Sequence, residues 1–145
     1  MPVTLDSGAF DSVIPKRLAQ GVPVKQTEAS RRGLKYRAAN GTTIVNEGEK
    51  DLRGYTNEAN LVDMAMQVAE VTKPLGSVRA MLKAGNRVHF EPGNCYVQHM
   101  ASGRITPIEE KAGTFEIGVW IPKSKVKRET TTQPDFTRQD TGARM

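Results

Sequence analysis

The chain has 145 residues, enough for one domain with a modest core and too few for a large two-lobed enzyme. Apolar residues make up 37 % and aromatics 6 %, and 13 glycines with 8 prolines favour short strands and turns over a helix bundle. The formal charge is +5, yet from Lys123 onward six basic residues face three acidic ones, so +3 of it lies in residues 123–145 and only +2 in residues 1–122. The body is therefore nearly neutral, which argues against nucleic acid as its partner. Cys95 is alone and cannot form an intrachain disulfide, so nothing asks for an oxidising compartment. No apolar run approaches the roughly 18 residues of a membrane span, and Met1-Pro2-Val3-Thr4-Leu5-Asp6 has neither a basic nor an apolar leader pattern. An intracellular, cytoplasmic setting without membrane contact is expected.

Taken in chain order, Val3-Thr4-Leu5 reads as a strand running into Asp6, and Ser12-Val13-Ile14 as a second, stopped by Pro15. Residues 16–20 suit one helical turn closed by Gly21. Residues 34–39 and 42–45 flank Asn40-Gly41, a pair suited to the positive φ of a two-residue type I′ hairpin turn. Residues 49–55 and 60–71 suggest another strand pair, the second placing Val62, Met64, Met66 and Val68 on one apolar face. Leu75-Gly76 leads into a helix over residues 77–84, with Ser77 as N-cap and Gly85 at its end. Short strands are expected at 88–91, 95–99, 104–108 and 114–121. Residues 123–145, rich in Thr, Gln and charge, lack the apolar content to offset their ordering entropy and read as a disordered basic tail or linker. The fold class is thus all-β with one short helix towards its C-terminal side, as one domain over residues 1–122.

Leu5-Asp6-Ser7-Gly8-Ala9 is an apolar strand that delivers a carboxylate into a tight turn, with a hydroxyl and a glycine directly after it. Such a turn can expose the Asp6 carboxylate, and Ser7 can reach the matching loop of a second copy. Two carboxylates brought within about 3 Å cannot both ionise, so they share a proton and hold a water between them. Asp-Ser-Gly also occurs in ordinary turns, and context must decide. Here an apolar strand precedes it, Val13-Ile14 follows, a glycine-tipped hairpin comes next, and Leu75-Gly76 has the small residue that lets a returning strand pass behind the turn.

On these residues the sequence resembles the retropepsins, the dimeric aspartic proteases of retroviruses and retrotransposons, and most of all the copia-type retrotransposon proteases. The stretches that carry the likeness are Leu5-Asp6-Ser7-Gly8-Ala9, Arg37-Ala38-Ala39-Asn40-Gly41-Thr42-Thr43-Ile44, and Leu75-Gly76-Ser77 through Phe90. Their order holds over residues 3–99, and residues 100–122 resemble the extra strands that follow the protease core in some retroelement polyproteins. The resemblance implies an acid-protease barrel with one lobe per chain, active only as a homodimer that donates one Asp6 from each copy. It implies catalysis by Asp6 with Ser7 and Gly8, and an extended peptide or polyprotein held by Ala9 and by a flap at Ala39, Asn40, Gly41 and Thr42. It implies no cofactor and no metal.

Other readings compete. Asp140-Thr141-Gly142-Ala143 repeats the motif, but Arg138-Gln139 stand before it in place of an apolar strand, so coincidence is the better account. His89, Cys95 and His99 are zinc-ligand types without the clustered spacing or fourth ligand of a closed site. Arg31-Arg32, Lys35 and Arg37 suit a solvated strand edge more than an RNA contact, because no aromatic platform accompanies them. Two further functions stay open: a retropepsin-like module that dimerises or binds protein without catalysis, and a small basic nucleic-acid binder.

Overall fold

The computed structural model describes residues 1–37 and 41–122. The architecture is predominantly β, with two short helices. The strands are β1 (Pro2–Asp6), β2 (Val13–Ile14), β3 (Lys35–Arg37), β4 (Thr43–Val45), β5 (Gly48–Tyr55), β6 (Leu61–Val68), β7 (Leu75–Ser77), β8 (Asn86–His89), β9 (Tyr96–His99), β10 (Ile105–Pro107), β11 (Glu109–Lys111) and β12 (Thr114–Gly118). The helices are α1 (Glu28–Arg31) and α2 (Val78–Lys83). Among the described residues, no helix is long and apolar enough to cross a membrane.

Seven strands form the main sheet in the order β11-β12-β1-β7-β2-β6-β5, a three-stranded sheet runs β10-β9-β8, and β3 pairs with β4 alone. The period-two expectation for β6 holds: Val62, Met64, Met66 and Val68 are each at most 1 % exposed and pack with Val3, Leu5, Ile14, Leu52 and Met81. Burying each such side chain contributes about 1.5–3 kcal/mol, so this one face of β6 organises the core. A single bridge joins Tyr55 to Trp120, and no closed barrel is found among the described residues.

Residues 100–122, set apart from the stretch 3–99 by the resemblance, share its core. Strand β12 is hydrogen-bonded to β1 with Val3 opposite Ile117, and Ile117 and Val119 are each 1 % exposed. Asn60, just before β6, donates to Ile105 O at 2.9 Å and Thr106 Oγ1 at 3.0 Å, which ties β10 to the main sheet.

Two local expectations are corrected. No helix forms over residues 16–20. That segment is a turn held from within, because Lys50, 2 % exposed, donates to the carbonyls of Lys16, Leu18 and Ala19 at 3.1, 2.9 and 3.2 Å. Burial and the nearby Lys16 charge hold its pKa below the usual lysine value. A helical turn the sequence reading missed, α1, begins at Thr27, where Thr27 and Ser30 form a reciprocal capping box. Its signature is weakened by Ser30 standing where Glu or Gln is usual. Strands β3 and β4 pair with Arg37 opposite Thr43, while the type of turn expected at Asn40-Gly41 falls partly on residues outside those described. Gly41 has φ +85°, in the left-handed region. Asn40 and Ala39 lie outside the described residues, as does the whole segment 123–145 with Asp140-Thr141-Gly142-Ala143.

Candidate functional site

Strand β7 lies between β1 and β2, parallel to β1 and antiparallel to β2. Residues 7–12, which connect β1 to β2, must therefore arch over the end of β7. Because β1 and β7 are parallel with Asp6 opposite Ser77, that end is where Ser77 sits. Ser77 is fully buried; its hydroxyl donates to Ala9 O at 2.7 Å, lies 3.2 Å from Phe10 O, and accepts from Ala80 N–H at 3.0 Å as the N-cap of α2. Its own N–H donates to Ser12 Oγ at 2.9 Å. One serine thus ties the arch, the strand beneath it and the helix behind it together. The expected N-cap is observed, and its hydroxyl also braces the Asp6 loop.

The strand that passes behind the turn is tightly packed at residue 76. A Cβ on Gly76 would lie 3.0 Å from Met81 Cε, 3.2 Å from Val3 Cγ1 and 3.3 Å from Leu5 Cδ2. Gly8 acts differently from the expected sharp-turn role. It is not in the left-handed region, and its N–H donates to Asp6 Oδ1 at 2.8 Å. A Cβ there would sit 3.4 Å from that oxygen, so the glycine leaves the side of the carboxylate open. Asp6 is half-buried, Ser7 and Gly8 are exposed, and Ala9 is half-buried with its N–H 3.4 Å from Asp6 O. The result is an oriented carboxylate at the surface, with a hydroxyl beside it and a firm base beneath. Next to it Phe10, 64 % exposed, carries the Arg79 guanidinium 4.0 Å above its ring.

Gly41 and Thr42 are exposed in the β3–β4 connection. The hairpin is joined to the Asp6 arch through Tyr36, whose hydroxyl donates to Asp11 Oδ2 at 3.1 Å. Neither Tyr36 nor Asp11 stands out in the sequence; a strand tyrosine and a loop aspartate meet only through the fold.

The other candidates have local partners. His89 stacks on Tyr96 with centroids 4.8 Å apart and approaches Glu91 Oε1 at 3.2 Å; Cys95 Sγ is 3.3 Å from Glu91 O, and His99 Nδ1 is 3.1 Å from Ser102 Oγ. Hydrogen bonds from Asn94 and His89 hold the Glu91 carboxyl below its usual pKa. In the basic run, Arg32 pairs with Glu28 at 2.7 Å across one helical turn, and Lys35 and Arg37 are exposed on β3.

Comparison with family models, curated proteins and solved structures finds no match.

Proposed function

We propose that the chain is one lobe of a retropepsin-like aspartic endopeptidase, completed by a second copy that brings its own Asp6. The observation that carries this reading is the Asp6-Ser7-Gly8 turn, with Asp6 half-buried and Ser7 and Gly8 exposed, braced over the end of β7 by Ser77. Catalysis by carboxylates needs an acid and a base fixed within hydrogen-bond reach of one water. A single Asp6 supplies one of them, and two-fold symmetry supplies the other from the same residue.

In the pair, one carboxylate is ionised and the other holds the shared proton, because two charges so close cannot coexist. The ionised member takes a proton from the water as it attacks the scissile carbonyl. The protonated member donates to the carbonyl oxygen as negative charge develops there. Collapse of the tetrahedral intermediate breaks the C–N bond, with a proton passing to the leaving amine. Gly8 N–H, bound to Oδ1, keeps each carboxyl plane from rotating, and Ser7 braces one loop against the other. An extended peptide, pinned by backbone hydrogen bonds in the manner of an added strand, is the substrate class that fits. Polyprotein processing is the setting the resemblance suggests.

Asp6→Asn retains the Gly8 contact and removes the ionisable pair. Peptide cleavage should fall by about a thousandfold or more with the unfolding midpoint nearly unchanged. Cleavage by the variant at the wild-type rate overturns the assignment. A strict monomer without cleavage at high concentration points instead to a non-catalytic binding module.

A further inference from the structure

A line of polar side chains runs from the Asp6 arch through the β3–β4 hairpin to the main sheet. Tyr36, midway along β3, donates its hydroxyl hydrogen to Asp11 Oδ2 and accepts from Asn46 Nδ2 at 3.0 Å. Asn46 is 2 % exposed; its amide nitrogen also donates to Gln67 Oε1 at 2.8 Å, and Gln67 Nε2 donates to Glu49 Oε1 at 2.9 Å. A carboxyl group accepts at each end, and the donations run outward in both directions from the Asn46 amide. Backbone bonds anchor the line at both sides: Asn46 N–H donates to Leu34 O and Gln67 N–H to Ser12 O, each at 2.8 Å.

We propose that Tyr36 is a positioning residue whose hydrogen bond to Asp11 holds the β3–β4 hairpin against the Asp6 arch and so sets the spacing in which an extended peptide is held. The part concerning peptide rests on the protease reading above. A hydrogen bond to an ionised acceptor is roughly twice as strong as a neutral one, and this one joins two segments that share no strand pairing. Burial and the adjacent Asp11 charge push the Tyr36 phenol well above its ordinary pKa, which keeps it a donor. The hairpin is a two-stranded ribbon with Leu34 and Val45 exposed, and such a ribbon is marginal without tethers.

Tyr36→Phe keeps the ring and deletes the hydroxyl. In the variant, backbone amides of β3 and β4 should exchange hydrogen about tenfold faster, with β1 and β7 unchanged. Asp11→Asn retains an acceptor oxygen and should exchange more slowly in the hairpin than Asp11→Ala. For peptide cleavage, Tyr36→Phe should raise KM about tenfold with kcat near wild type, because the tether serves ground and transition states alike. Wild-type hairpin exchange in Tyr36→Phe overturns the tether whatever the activity. If that variant loosens throughout, equal hairpin exchange in the two Asp11 variants overturns it instead. A fall in kcat at constant KM overturns the substrate-spacing role. Faster hairpin exchange in a chain whose wild type cleaves no peptide upholds the tether and counts against the protease reading alone.

Discussion

At Gly76 a missing methyl group decides where Asp6 stands. The neighbours a Cβ would meet are Met81, whose flexible end can swing aside, and Val3 and Leu5, which belong to the strand that ends at Asp6. Gly76→Ala should therefore cost about 1–3 kcal/mol in denaturant unfolding and displace β1, lowering cleavage more than an equally destabilising change elsewhere in the core. An activity loss no larger than that of a stability-matched core variant would sink the positional part of this argument. The need for a small residue at 76 could be read from the sequence, since Leu75-Gly76 sets a small residue beside an apolar one where a returning strand passes behind the turn. The role of Gly8 could not. Its conformation is one that other residues adopt, and its contribution is a backbone N–H and open space beside the carboxylate.

Among the elements, β12 shows how a segment remote in sequence supports the site. It flanks β1 on the side opposite β7, so the strand that carries Asp6 is paired on both edges. Ile117→Ala should cost about 2–5 kcal/mol, as a core residue does, measured as a lower denaturant midpoint at constant slope. A loss below about 0.5 kcal/mol, typical of a surface appendage, would show that residues 100–122 stand outside the core. Most of the strands and α2 were legible because alternation, turn residues and the Ser77 cap are local signals, whereas the short strands β7 and β11 carry no such alternation. Two local readings failed for different reasons. The turn at 16–19 is held by Lys50, a residue far along the chain and an improbable choice for a core position. Helix α1 escaped because Ser30 fills the capping-box position where Glu or Gln is usual.

For the whole molecule, the protease reading makes activity a property of the pair, because each chain brings one Asp6. If two copies build the site, specific activity should rise with protein concentration until the dimer saturates, and sedimentation should place the midpoint of association in the same range. Specific activity independent of concentration, in a preparation that sediments as a monomer, would require a different active species.

Some features follow from the sequence by itself because their causes are local. The β class, the Asp-Ser-Gly turn after an apolar strand and the capped helix after Leu75-Gly76 depend on neighbours a few positions apart, and the near neutrality of residues 1–122 is a count over the sequence. The tertiary structure alone decided that β7 enters between β1 and β2, that Ser77 braces the arch, that β12 flanks the strand leading to Asp6, and that Tyr36 meets Asp11. Those contacts join residues separated by long stretches of chain. Their partners are selected by which apolar faces share one core, a competition among all elements at once that no local pattern encodes.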